Sequence, residues 1–165
     1  MPTVRIVQLD AAALRALATG EPPVTSPVPL TEHLMGPEHR SLWQRRDRQV
    51  TGNPGDAAWV TGVVWDPERE VSVGRAGFHG PPDERGMVEV GYAIDPAYRR
   101  RGYGRAVLAA LLERAAREPA VTVVRASISP DNTASRALAA GFGFEPVGEQ
   151  WDDEDGLETV HERPA

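Results

Sequence analysis

Residues 89–108 read Glu-Val-Gly-Tyr-Ala-Ile-Asp-Pro-Ala-Tyr-Arg-Arg-Arg-Gly-Tyr-Gly-Arg-Ala-Val-Leu: a strand, a glycine-containing turn and a helix start, with cations packed into the turn. Such a turn is built to hold an anion. Backbone N–H groups at a helix start have no intrahelical partner, the helix dipole is positive there, and a residue without Cβ lets a phosphate reach the main chain. From Asp95 to Arg105, Arg99, Arg100, Arg101 and Arg105 against Asp95 make a charge of +3 in a chain whose net charge is -6. A cationic island on an acidic chain implies a specific phosphorylated ligand rather than nucleic acid, which calls for a broad basic face.

Spacing decides which phosphate. The nucleotide P-loop needs a lysine, and every one of the 18 basic residues is arginine. The dinucleotide fingerprint needs a third glycine, where Gly102-Tyr-Gly104 is followed by Arg105, Ala106 and Val107. What remains is Arg99-x-x-Gly102-x-Gly104.

The flanking pattern predicts an α/β chain. A short strand over 3–9 and a helix over 11–18, capped by Asp10 and ended by Gly20, precede a loop at 21–30 that carries four prolines. Helical spacing over 31–48 is interrupted by Gly36-Pro37. Apolar runs at 58–65, 71–78 and 87–94, joined by turn-forming segments, predict an antiparallel meander. A helix over 101–117 then leads to a β-branched run at 121–128, read as a buried strand parallel to its predecessor. Asp131 or Asn132 caps a last helix, and strands over 144–151 and 157–163 close the chain.

The segment Arg99-x-x-Gly102-x-Gly104 resembles the Q/R-x-x-G-x-G/A acyl-coenzyme A pyrophosphate loop of the GNAT family of N-acetyltransferases. Ser129-Pro-Asp-Asn-Thr-Ala-Ser-Arg-Ala-Leu-Ala-Ala-Gly-Phe-Gly-Phe-Glu is similar to a second signature of that family, in which N-x-x-S or N-x-x-A opens a helix ending in G-F. The resemblance covers roughly 57–148. It leans toward the subgroup that includes ribosomal-protein N-terminal acetyltransferases. It implies a single N-acetyltransferase domain over 1–165, with 1–50 and 149–163 as acceptor-side elements. The implied fold is a GNAT-like mixed sheet with an antiparallel N-terminal meander, a central splayed parallel strand pair and helices on both faces. Acetyl-CoA would serve as acyl donor, its pantetheine arm bonded to the backbone of Ala93 and Ile94. Arg99, Arg100, Arg101, Gly102, Tyr103, Gly104 and Arg105 would receive the pyrophosphate, and Asn132 would be a helix cap, a ligand to the arm, or both.

Acetyl transfer to an amine needs a neutral amine, a polarised thioester carbonyl and a thiolate able to leave. Glu89 is the candidate base: alternation puts it on one strand face with Gly91 and Ala93, whose small size leaves room for an acyl group, and burial would raise its pKa. The alternative is a solvated or salt-bridged strand residue. By resemblance the oxyanion donor is the Ala93 or Ile94 N–H. Many relatives carry a tyrosine acid four residues before the G-F pair, where this chain has Ala139. Ser135 is the remaining polar group for the leaving sulfur, or simply part of the helix cap. A non-catalytic acyl-CoA-binding regulatory module is the alternative reading, and a pure interaction domain a more distant one.

Other features narrow the setting. The chain has no cysteine, so disulfides and thiolate chemistry are excluded. His33, His39, His79 and His161 show no i, i+4 pairing, and the expectation is no metal. No apolar run reaches membrane length and no signal-peptide pattern opens the chain, so the expectation is a cytoplasmic protein without membrane or nucleic-acid partners. The partner expected is an amine acceptor, with a homodimer left open. Residues 145–158 hold seven carboxylates and no cation, either a solvated hairpin or a surface that attracts a cationic acceptor.

Overall fold

A computed structural model describes residues 1–165. The chain forms two compact units, one comprising residues 1–81 and 91–110, the other 82–90 and 111–165.

The first unit begins with β1 (Arg5–Val7) and α1 (Ala11–Thr19). Asp10 caps α1 by accepting the Ala13 N–H at 2.8 Å, and Gly20 ends it in the left-handed region at φ 82°, as the sequence implied. The apparent helix of 31–48 is broken in two. α2 (Glu32–Met35) stops at Gly36, a 3₁₀ turn runs over Pro37–His39, and α3 (Arg40–Gly52) follows. Proline has no N–H for the preceding turn, so the chain restarts with proline at the first position of the 3₁₀ turn. β2 (Gly62–Asp66) starts later than the apolar run suggested, because Pro54–Ala58 is a further 3₁₀ turn. β3 spans Val71–Phe78, and β1–β2 and β2–β3 are antiparallel, with a bulge between Val64 and Trp65. Leu9, Leu14, Leu17, Leu34, Trp43 and Val63 form the core, and the Trp43 indole N–H donates to the Leu34 carbonyl at 2.8 Å.

β4 (Met87–Ile94) and α4 (Tyr103–Arg117) each contribute to both units. In the second unit β5 (Val123–Ile128) pairs in parallel with β4 over Met87–Glu89 against Val123–Arg125, and that register goes no further. β5 then pairs antiparallel with β7 (Gly156–Pro164), and β7 with β6 (Glu145–Asp152). α5 (Thr133–Gly141) lies between β5 and β6 in sequence. Val88, Leu111, Ala115, Val124, Ile128 and Phe144 are buried here. The strand order is β1-β2-β3-β4-β5-β7-β6, a mixed seven-stranded sheet with one parallel pair, in agreement with the expected fold class.

Candidate functional site

In the first unit, the end of β4 and the turn into α4 carry Ala93, Ile94 and the arginines. A 3₁₀ turn over Pro96–Tyr98 follows Asp95, whose N–H donates to the Val73 carbonyl at 2.9 Å. Ala93 and Ile94 are half-buried. The Ile94 carbonyl already accepts from the Arg99 Nε at 3.0 Å, so one of the backbone groups expected to meet a ligand is engaged by the loop itself. Arg100 has φ 59° and Gly102 φ 84°, two left-handed residues separated by one. Left-handed residues in a turn ahead of a helix start are the backbone ingredient of known anion-binding turns. Arg100 does this at a steric cost that glycine avoids.

Tyr103 opens α4, and its side chain does not face solvent. It is 3% exposed, and its hydroxyl donates to the Asp66 carboxylate at 2.6 Å. What it can offer a ligand is therefore its backbone N–H in the first turn of the helix. Asp66 also accepts from the Glu68 and Arg69 N–H groups at 2.9 and 3.1 Å and from the Arg69 guanidinium at 2.9 Å. Burial on its own pushes the Asp66 carboxyl up, but the hydrogen bonds from Tyr103 and Arg69 outweigh it and hold the pKa below its usual value. Burial and the bond to Asp66 push the Tyr103 phenol up. The pair ties the start of α4 to β2. Arg99, Arg100, Arg101 and Arg105 are exposed, with the Arg101 guanidinium 5.7 Å from the Tyr98 ring centre.

The same unit holds a polar cluster that spacing did not reveal. His33, His39 and Asp95 bring potential ligand atoms within 4.8 Å of one another. His39 is buried, and its Nδ1 accepts from the Arg75 Nε at 2.9 Å. A neutral ring that accepts at Nδ1 carries its proton on Nε2, and that atom is buried without a partner. Burial first, then the Arg75 cation, lowers the His39 pKa to about 4. Asp95 accepts from the Thr31 hydroxyl at 2.5 Å.

The second unit holds Glu89, Asn132 and Ser135. Glu89 is half-buried on β4, in register with Arg125. Asn132 is the N-cap of α5, its Oδ1 accepting the Ser135 N–H at 3.1 Å. The cap reading of Asn132 is thus realised, and Ser135 is held by its backbone in the first turn with a half-buried side chain. Ala139 is buried, so the position of the missing tyrosine is part of the core. Sequence reasoning passed over Glu158. It was counted with the acidic hairpin, yet on β7 it is 9% exposed, and the Gln150 amide donates to it at 2.9 Å and to the Ser127 hydroxyl at 3.0 Å. The alternation of Glu158, Val160 and Glu162 with exposed or opposite-facing neighbours was the available signal.

A model of the Acetyltransferase (GNAT) domain matches residues 4–145. The chain belongs to the GNAT family. The glycine–arginine turn at the start of α4 thereby has a family context, and the mixed sheet is that of a GNAT domain. Among curated relatives, the uncharacterized N-acetyltransferase YjdG of Bacillus subtilis is 33% identical over 93 residues, 56% of this chain and 54% of that protein. An L-2,4-diaminobutyric acid acetyltransferase of Streptomyces coelicolor is 44% identical over 50 residues, 30% of this chain and 29% of that protein. The chain thus spans about half or less of these relatives' length. Among solved structures, a spermidine N-acetyltransferase SpeG chimera from Vibrio cholerae and hSSAT superposes with TM-score 0.70 at 12% identity, covering 98% of this chain and 95% of that one. RimL, a ribosomal-protein acetyltransferase in complex with coenzyme A, superposes with TM-score 0.68 at 18% identity, covering 99% and 95%. At these identities the structures establish a shared fold.

Proposed function

We propose that this chain is an acetyl-CoA-dependent N-acetyltransferase that acts on a primary amine, a small molecule or a protein N-terminus. The observation that carries the reading is the turn at Arg99–Arg105: two left-handed residues, a helix start and four exposed arginines in a chain of net charge -6. Arg99, Arg100, Arg101 and Arg105 supply positive charge to the pyrophosphate, and the N–H groups of Gly102, Tyr103 and Gly104 supply donors. Bound acetyl-CoA contributes a thioester whose carbonyl carbon is the electrophile. Glu89 takes a proton from the acceptor's ammonium, directly or through a water; the neutral amine then attacks the carbonyl carbon, the N–H of Ala93 or Ile94 donates to the developing oxyanion, and the C–S bond breaks to release CoA as thiolate. Ser135 donates a hydrogen bond to the departing sulfur, a modest aid because a thiol of pKa ~8.5 leaves readily as thiolate.

Buried Ala139 favours one second reading, a non-catalytic acyl-CoA-binding module, since no phenol stands where many relatives place their acid. Mass spectrometry of the purified protein for retained CoA, followed by an amine panel with acetyl-CoA, separates the two. Turnover supports the enzyme, and retention without turnover supports the module. No helix is long and apolar enough to cross a membrane, which supports a cytoplasmic setting for either reading. Neither reading calls for a metal.

A further inference from the structure

The second unit's sheet carries a buried carboxylate that the mechanism above does not use. Glu158 is 9% exposed, and its one hydrogen bond, from the Gln150 amide at 2.9 Å, reaches Oε2, leaving Oε1 without a donor. Gln150 spends its other N–H on the Ser127 hydroxyl at 3.0 Å, so β5 and β6 together fix its amide and hence the orientation of Glu158. Register places Glu158 on a particular face. Glu89 is in register with Arg125, Arg125 with Glu162, and Glu162, Val160 and Glu158 alternate along β7 toward the same side.

Charge on that face is one-sided. Arg125 is its cation, and Glu162 holds it through contacts of 2.9 and 2.6 Å. The charges that bear most on Glu158 are Asp152, Asp155 and Glu89, all carboxylates, and together with burial they push its carboxyl above the usual range. A largely buried carboxylate whose Oε1 has no protein donor, and whose strongest charge neighbours are Asp152, Asp155 and Glu89, is a place where a cation would relieve like-charge repulsion.

We propose that Glu158, oriented by Gln150 and Ser127, is a specificity-determining residue that receives a second cationic centre of the acceptor, so that the preferred substrate is a diamine or an amine bearing another basic group. This rests on the reading of Glu89 as the acceptor-side base. The amine to be acetylated meets Glu89, and the second ammonium fills the vacant hydrogen-bonding position of Glu158 and relieves the repulsion among the carboxylates. A monoamine of the same length offers no such contact.

The test is calorimetry of the CoA-loaded protein with α,ω-diaminopentane and with pentylamine at fixed ionic strength. The wild type is expected to bind the diamine roughly tenfold or more tightly than the monoamine, the range of a charge-assisted hydrogen bond. Glu158→Gln, which keeps shape and a partner for Gln150, should bring the two affinities within about twofold, and Glu158→Asp should restore part of the preference. Equal affinities in the wild type, or an undiminished preference in Glu158→Gln, would overturn the assignment. Acetylation by the same samples keeps the two readings apart. Diamine preference without turnover counts against the base role of Glu89 and leaves Glu158 assigned, whereas turnover with no preference removes Glu158 and leaves the enzyme.

Discussion

The turn at Arg99–Arg105 and the sheet face bearing Glu89 and Glu158 are built in opposite ways. The turn gathers exposed arginines from one contiguous stretch and shapes the backbone between them with two left-handed residues. The sheet face gathers carboxylates from β4 and β7, half-buried or buried, and orients one of them through a glutamine on β6 and a serine on β5. A mobile, multiply charged phosphate group needs many exposed donors and tolerates imprecise side chains, because the backbone supplies the directionality. An amine to be deprotonated needs a few carboxylates whose protonation burial can tune. The two regions should therefore respond to different perturbations, the first in affinity and the second in chemistry and acceptor choice.

Breaking the second region should have the largest effect. Glu89→Gln is expected to lower turnover by roughly 10²- to 10⁴-fold while acetyl-CoA affinity stays unchanged, the usual contribution of general acid–base catalysis. Steady-state kinetics beside calorimetry makes the separation, and loss of acetyl-CoA affinity in this variant would blur the distinction drawn above.

The reverse pattern is expected for the turn. Gly102→Val forces a β-branched residue into φ 84°, and its Cβ would lie 3.2 Å from the Pro2 ring. Acetyl-CoA affinity should fall roughly tenfold or more as the turn is distorted, and Gly104→Val should weaken binding by blocking approach to the helix start. A folded Gly102→Val variant with wild-type affinity would show that the backbone winding is incidental.

Smaller effects sharpen how each region is supported. Tyr103→Phe removes a buried hydrogen bond to a carboxylate and should cost about 1–2 kcal/mol of stability, read from denaturant unfolding. Asp66 has a depressed pKa, so its contribution is present above its unfolded value and lost as pH falls through its folded one. Tyr103→Phe should move that loss to higher pH. His39 is depressed from 6.5 to about 4, so stability should decline as pH falls across that window, and His39→Gln should flatten the decline. Smallest is Asn132→Ala, about 1 kcal/mol for a lost N-cap, with Ser135→Ala costing less turnover than Glu89→Gln.

What the sequence disclosed divides along the same line. β3 and β4 stand where their apolar runs and bounding turns put them, Val71–Phe78 and Met87–Ile94. The Arg–Gly turn and the Asn132 cap are local, and local chemistry is written in adjacent residues. The break at Gly36-Pro37 was visible as a breaker, but the 3₁₀ turns at Pro37–His39 and Pro54–Ala58 depend on tertiary context that shortened β2. The bonds of Tyr103 to Asp66, His39 to Arg75 and Gln150 to Ser127 join residues 37, 36 and 23 positions apart. No periodicity encodes such pairs; only the assembled sheet does. Glu158 was hidden for that reason, since a carboxylate beside an acidic turn looks solvated until its strand neighbours are known.

The central claim is that the cationic turn serves an acyl donor and the acidic face an amine. An assay of the purified chain with acetyl-CoA and an amine panel, quantifying released CoA thiol and acetylated amine together, tests it most directly. The account predicts equal amounts of both products, with turnover abolished or nearly so in Glu89→Gln. Thiol release without acetylated amine, or full amine acetylation in Glu89→Gln when deprotonation limits the rate, would contradict it.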